Sequence, residues 1–426
     1  MHYTDAVWGD VLLPAWVHRV MASPEFARLR DLKQTGALDY VLPAKHSRFE
    51  HSVGTACCAL RLMGYLRAKD PAIEPRHEAM VVLAALCHDM GHGPGSHSFE
   101  EVMAAVGHSE WKHEAQTLKM VRHMVGADPE LAAVLAAVGV DVDVVCSMIV
   151  GKCPPEWPSS MSYLCHLVSD PHSGLDVDKL DYIARDCLVL GMGAAEDLRD
   201  VWDVVLRTCK PLPVQGFPDD CRRLSWPVAR ATEVHTVFRK RAELHEGAYQ
   251  LPRVRAAQAM VNHVMGNVAH WPLLRRPDGT LVSLVDAALD ADPSPFVTAT
   301  DRFIEQVLSV EQRGLSPKSS TVCARLRAGD LWALVSERAW DVQAAASPPS
   351  EGERQSAQDA GVQAAKDSGL TVAFTETVTV HGGKGLTKSP VALVPFFDAD
   401  DAVSARLRDD LGLDVLRRAY ARVYVE

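Results

Sequence analysis

From Met80 to Cys87 the chain runs apolar with no polar face, the pattern of a helix buried on every side. The run ends in His88-Asp89, and Gly91, Gly93 and Pro94 stop the helix immediately afterwards. Upstream, Ser23-Pro24-Glu25 is a helix start with Phe26, Leu29 and Leu32 as its stripe. Val41-Leu42-Pro43 breaks the pattern, and Val53, Cys57, Leu60 and Met63 carry a helix through Tyr65. Downstream, helices are predicted from Trp111 to about Val125, from Asp128-Pro129-Glu130, over 141–148, over 162–168, and from Asp176 to Leu190, where Gly191 ends it. Lys210 to Pro227 alternates and reads as a β-hairpin. A long helix follows from Val228 to Gln250, another from Val254 to about Val268, and further helices over 280–290 and 295–308. Residues 344–369 are rich in Ala, Ser, Gln and charge and predict a solvated or disordered insert. Two strands are expected over 370–380 and 391–397, then a helix from Ala402 merging into a terminal strand. The expected fold class is mainly α: a helical core over 1–270 with a small β-hairpin, a helical extension over 271–343, a flexible insert over 344–369 and an α+β lobe over 370–426.

Composition narrows the function. Of 18 histidines, eight fall between His46 and His113. A lone His at a helix end is usually a core residue, but this clustering points to a site. Ten cysteines without a CxxC pair suit reduced thiols inside a cell, in cytoplasm or nucleus. No basic segment precedes an apolar core, so no signal peptide is expected, and the longest mild run, Leu131 to Val140, is too short to cross a bilayer. The formal net charge of -11 argues against a broad nucleic-acid footprint, leaving a polyanion only a local basic pocket.

The chemistry follows from residue types. His51, His88, Asp89 and Asp178 form a mixed imidazole–carboxylate set suited to a divalent first-row metal with positions left open. Arg48, His92, His97 and His113 surround it in sequence and can donate to phosphate oxygens or shuttle protons. Two helices repeat polar residues at helical spacing: Asp178, Tyr182, Arg185 and Asp186, with Lys179 beside them, and Arg241, His245 and Tyr249. Each stripe alone is as well explained by a solvated helix face. Tyrosine on both, and a lysine next to a candidate ligand, favour a phosphate pocket.

Arg48-Phe49-Glu50-His51-Ser52, Cys87-His88-Asp89-Met90-Gly91-His92-Gly93-Pro94 and Asp176 to Asp186 resemble the HD superfamily of metal-dependent phosphohydrolases. The match is nearest to the deoxynucleoside triphosphate triphosphohydrolases that carry SAM and HD domains, over about residues 5 to 260, with no SAM domain expected ahead of Asp5. The resemblance implies hydrolysis of a dNTP to deoxynucleoside and tripolyphosphate. It implies a metal (Fe, Mn, Zn or Mg) on His51, His88, Asp89 and Asp178, and allows a second Mg at the triphosphate. Arg48, Lys179, Tyr182 and Arg241 would hold the triphosphate. His92, His97 and His113 would line the reaction centre, with His97 as candidate general acid. Gln34 and Asp186 would meet the 3′-hydroxyl, and Tyr249 would crowd C2′. Glu100 stands where the family has an Asp near the reacting His, and Thr35 where an apolar residue abuts the sugar.

The resemblance also implies a homo-oligomer, dimer or tetramer. The family's guanine-nucleotide activator contacts are altered here: Ala22 and Ala27 replace an acid and a glutamine, and Glu246-Gly247 and Leu251-Pro252 stand where basic residues are expected. The rival readings are an HD hydrolase of monophosphates, cyclic dinucleotides or single-stranded nucleic acid, and a non-catalytic nucleotide sensor or scaffold.

Overall fold

The computed structural model describes the chain except residues 194, 215, 219–220, 277, 310–313, 343–346, 387–388, 399–402 and 405–414. Its centre is a pair of packed helices, α1 (Arg48–Arg67) and α2 (Pro75–Cys87). Ser47 starts α1 with a capping box: the Glu50 carboxylate accepts from the Ser47 amide at 2.6 Å, and the Ser47 hydroxyl accepts from the Glu50 amide at 3.4 Å. Every residue of α2 from Ala79 to Cys87 is buried, as its all-apolar pattern predicts.

Around this pair lie α3 (Ser98–Ala105), α4 (His113–Ala127), α5 (Val177–Leu190), α6 (Ala195–Thr208), α7 (Ala231–Leu244) and α8 (Pro252–Val268). Gly191 ends α5 at φ 67°, a left-handed C-cap that suits glycine. Gly54 lets α1 and α5 touch: a Cβ there would lie 2.1 Å from Asp181 Oδ1. The mainly α fold class holds, and the hairpin expected at 210–227 is present as antiparallel Lys210–Pro213 and Arg222–Pro227.

The C-terminal part departs from expectation. The segment expected as a solvated insert forms α9 (Glu351–Asp367), with a Ser350–Glu353 capping box. Its small face packs on a three-stranded antiparallel sheet, where a Cβ on Gly361 would meet Ser336 Oγ at 2.7 Å and Val423 at 2.8 Å. Alanine and glycine on that face let the helix lie close to the sheet, so the absence of large apolar residues was misread as disorder. The sheet is β1 (Ala333–Asp341), β2 (Val372–Val380) and β3 (Arg418–Val425), with β3 central. Thus β1 lies in the stretch expected to be a helical extension, which also holds the pair Pro272–Arg275 and Leu281–Ser283. The latter shortens the helix expected over 280–290 to Leu284–Leu289. Over 391–397 only Phe396–Phe397 is strand. Most of the helix expected from Ala402 lies outside the described residues; Val403–Ser404 and Arg418–Val425 are strand. Helix α6 was not anticipated at all. No single described helix is long and apolar enough to cross a membrane.

Candidate active site

The loop after α2 is held in shape by the helix opposite. The Thr117 hydroxyl on α4 accepts from the Gly91 amide at 2.8 Å and donates to the His88 carbonyl at 3.1 Å. Gly91 has to be glycine, since a Cβ would lie 2.2 Å from the His113 carbonyl. Buried Arg28 donates to the carbonyls of Met90 at 3.1 Å and His92 at 2.8 Å, so it belongs to this scaffold. Ser96 takes φ 60°, left-handed backbone that costs a non-glycine residue on the order of 1 kcal/mol. That turn brings its hydroxyl to accept from Arg48 Nε at 2.7 Å and donate to the Lys33 carbonyl at 2.6 Å.

The result is a cavity of about 630 Å³ whose lining includes His51, His88, Asp89 and Asp178 at one end and Lys179, Tyr182, Arg241 and Tyr249 along a wall. At the first end, His51 Nε2 and His88 Nε2 face each other at 3.1 Å. His51 Nδ1 donates to Asp181 Oδ2 at 2.8 Å and His88 Nδ1 to the Ala85 carbonyl at 2.8 Å. With both Nδ1 atoms committed as donors, each ring in its neutral form aims an Nε2 lone pair at the other. Asp178 Oδ1 sits 3.1 Å from His51 Nε2 and 3.4 Å from His88 Nε2, and Asp89 Oδ1 is 3.5 Å from His88 Nε2. Lone pairs and carboxylates converging this closely need a cation between them. The donor set therefore fits a divalent metal, and the candidate ligand atoms of His51, His88 and Asp89 lie within 4.8 Å of one another. The same crowding acts on protons: burial works against it, yet Asp178 and Asp181 raise His51 to about 10.

Asp181 is the residue that sequence reasoning missed. It is fully buried, orients His51, and accepts from Trp8 Nε1 at 2.7 Å and Arg185 Nε at 2.9 Å. Burial opposes its charge, and Arg185 with His51 still holds it down to about 2. Its signal was available, one helical turn after Asp178 on the same face. Arg185, read as part of a stripe facing the pocket, points instead to Asp5 and Asp181.

A second histidine group lies beside the first. The His92 and His113 rings stack with centroids 3.9 Å apart, and His97 meets His92 edge-on at 4.7 Å. His113 Nδ1 pairs with Glu100 Oε1 at 2.6 Å, while buried His92 has a longer approach, Nε2 to Asp89 Oδ1 at 3.3 Å, and its Nδ1 has no hydrogen-bond partner among the described residues. Burial and the Arg48 cation push His92 and His97 below the ordinary histidine value.

Arg48 itself is 1% exposed and bonds to Asp89, Ser96 and the Gln34 carbonyl, so most of its donors are taken by the protein. Tyr249 donates to Asp186, whose other oxygen lies 2.6 Å from His46 Nε2, a partner the sequence did not flag. Gln34 reaches the cavity, its Oε1 buried with no hydrogen-bond partner among the described residues. Arg241 donates to the Tyr182 hydroxyl at 3.1 Å and the His381 carbonyl at 2.6 Å. His245 and Tyr249 lie on a π-helical turn after α7, an irregularity that often marks a site.

Residues 48–149 match the HD domain family. The chain carries an HD domain. It is 32% identical over 323 residues to the deoxynucleoside triphosphate triphosphohydrolase SAMHD1 of Mus musculus, covering 70% of this chain and 45% of that protein. It is 33% identical over 265 residues to the SAMHD1 of Homo sapiens, covering 58% and 41%, and 33% identical over 202 residues to the SAMHD1 homolog of Dictyostelium discoideum, covering 46% and 37%. The chain thus spans about half or less of these relatives' lengths. The HD pair His88-Asp89 and His51 fall inside the matched domain, and Asp178 lies beyond it.

Proposed function

We propose that the protein is a metal-dependent hydrolase of deoxynucleoside triphosphates, releasing deoxynucleoside and tripolyphosphate. One observation carries this reading: a cation-seeking His51/His88/Asp89/Asp178 set and a separate basic wall of Lys179 and Arg241 share one cavity of about 630 Å³. A monophosphate needs only the first; a polyphosphate uses both. The names of the relatives, deoxynucleoside triphosphate triphosphohydrolases, support the same substrate class.

His51, His88, Asp89 and Asp178 would hold the metal, which when bound polarises a phosphoryl oxygen and lowers the pKa of water. Asp181 and the Ala85 carbonyl keep both imidazoles turned towards it. Arg48 fixes Asp89 and places the edge of its guanidinium at the reacting phosphate. Glu100 keeps His113 pointed into the cavity, and His113 with His92 forms the stack against which His97 stands. His97 serves the leaving 5′-oxygen, taking up the proton it passes on once the anionic substrate offsets burial and the Arg48 cation, which otherwise keep it neutral. Lys179, Tyr182 and Arg241 bind the outer phosphates. Asp186 takes the 3′-hydroxyl together with Gln34, and Tyr249, tied to Asp186, presents its ring at the sugar. An intracellular homo-oligomer is part of the same proposal.

The test is incubation with each dNTP, rNTP and dNMP under Mg²⁺, Mn²⁺ and Fe²⁺, separating tripolyphosphate from pyrophosphate and phosphate. Intact tripolyphosphate from at least one dNTP is expected. Orthophosphate or pyrophosphate as the first product, or turnover of dNMP alone, would overturn the reading.

A further inference from the structure

The C-terminal lobe sends one segment back to the cavity, His381-Gly382-Gly383-Lys384-Gly385, directly after β2. The turn is built on glycine: Gly383 has φ 126° and Gly385 φ 74°. Its backbone amides at Gly383 and Gly385 both donate to His381 Nδ1, at 2.9 and 3.3 Å, which fixes its shape. Gly383 lines the cavity, and a Cβ on it would sit 3.7 Å from Arg241 Nε and 3.8 Å from Lys179 Cε. The His381 carbonyl is also the acceptor for Arg241 Nη1. Beside it, Lys384 and Lys179 come together over Gly174, whose Cβ position lies 3.4 Å from Lys384 Cε and 3.6 Å from Lys179 Cε.

Charge makes this convergence informative. Lys179 is balanced by Asp176, 3.4 Å away. Arg241 bonds to a phenol and a carbonyl, and the Lys384 ammonium to the Pro171 carbonyl at 3.0 Å. Among the described residues neither Arg241 nor Lys384 forms an ion pair with a carboxylate, and Asp170, the nearest acid in influence on Lys384, faces Arg223 at 3.6 Å. Three cations therefore meet with one carboxylate between them, an excess of positive charge in a protein of net charge -11. Such a cluster is favourable only with an anion of more than one charge beside it.

We propose that the His381–Gly385 turn is the terminal-phosphate subsite of this cavity, with Lys384 as the residue that distinguishes a triphosphate chain from shorter phosphates. That a nucleotide is the occupant rests on the function proposed above; that the turn takes an anion rests on its own geometry. The turn brings Gly383 against Arg241 and Lys179 at the outer end of the basic wall, and Lys384 adds an ammonium held there by a carbonyl and by no carboxylate among the described residues. A monophosphate held at the His51/His88 end would not reach it.

The experiment measures binding of inorganic tripolyphosphate and of orthophosphate to the purified full chain by calorimetry, beside dNTP kinetics, for the parent, Lys384→Ala, Lys384→Gln and Lys384→Arg. Expected is a roughly tenfold weaker tripolyphosphate affinity in the Ala and Gln variants, unchanged orthophosphate binding, and recovery with Arg. In turnover, KM for the dNTP should rise about tenfold with kcat within about twofold. Thermal melts identify an unfolded variant, and the Gln substitution repeats the test where Ala fails to fold. Tripolyphosphate affinity that is absent in the parent, or indifferent to Lys384, overturns the subsite. A parent that binds tripolyphosphate through Lys384 and hydrolyses no dNTP upholds the subsite and overturns the substrate reading.

Discussion

The two histidine groups of the cavity are adjacent and chemically opposite. In the first, His51 and His88 each spend one ring nitrogen on a fixed buried partner and turn the other inward, towards two carboxylates. In the second, His113 is tied closely to Glu100, and buried His92 has only the 3.3 Å approach of Nε2 to Asp89, its Nδ1 unpartnered among the described residues. A ring pinned from behind with its lone pair aimed at carboxylates is a ligand. A ring held by one long contact, with its other nitrogen open, keeps a hydrogen bond for something that enters. The contrast separates holding from reacting, and it can be broken at either side.

The largest effect should come from the holding side. Asp178→Ala removes the carboxylate 3.1 and 3.4 Å from the two facing imidazoles. Metal content, read by elemental analysis, should fall to background, and turnover by on the order of a thousandfold or more. The fold should persist, since the Asp178 side chain is 30% exposed to the cavity. Ordinary turnover in this variant would place the chemistry elsewhere.

The reacting side should behave differently. His97→Ala should lower kcat by on the order of a hundredfold or more, the usual worth of a positioned acid or base. Its metal content should equal the parent's, because His97 touches His92 and His113 and not the ligand set. Loss of metal along with activity would erase the division between the groups.

Asp181→Asn tests the pinning itself. The change keeps the shape but removes the charge that Arg185 and His51 face. Metal affinity should drop by about 10- to 100-fold, with activity restored at high metal concentration. A variant with parental affinity would show that the buried carboxylate serves only the Trp8 and Arg185 packing.

Both sides of this comparison were only partly legible in the chain. His51, His88, Asp89 and Asp178 were readable because each carries a metal-competent side chain in a short motif. The helices that present them were readable because their apolar pattern is continuous or capped, as at Ser47 and Asp176. Asp181 was missed because its role lies in what stands behind a ligand, and that depends on Gly54 letting two helices close. Arg48 was read as a phosphate donor from its charge and from the resemblance, but its bonds to Asp89, Ser96 and the Gln34 carbonyl depend on the loop's folding and left no signal in the sequence. The C-terminal lobe was the least legible. Strands β2 and β3 were expected from their alternation and are present, but β1 fell in a stretch read as helical, and α9 docks through Gly361 and small neighbours without the hydrophobic stripe that local reading requires. The His381–Gly385 turn was passed over for the same reason, lying between a strand and a segment with no periodicity.

The smallest effect concerns Glu100, which orients the most closely tied ring of the second group. It pairs with His113 at 2.6 Å and with Lys112 at 2.7 Å. Partial burial raises its pKa, but these two partners outweigh burial and bring it from 4.5 to about 2. A carboxyl whose folded value is depressed contributes stability fully above its unfolded value and loses it as pH falls through the folded one. The contribution should therefore be intact above about pH 4.5 and disappear between there and about pH 2. Lys112 is a solvent-facing partner and part of the pair is screened, so Glu100→Gln should cost only about 1 kcal/mol at neutral pH. In denaturant melts the parent and the variant should differ at pH 7 and converge towards pH 2. A difference that stays constant from pH 7 to pH 2 would mean that Glu100 acts by packing and that His113 is held by its stack on His92. In that case the second group is as fixed as the first, and the division between holding and reacting has to be drawn by chemistry and not by which rings are pinned.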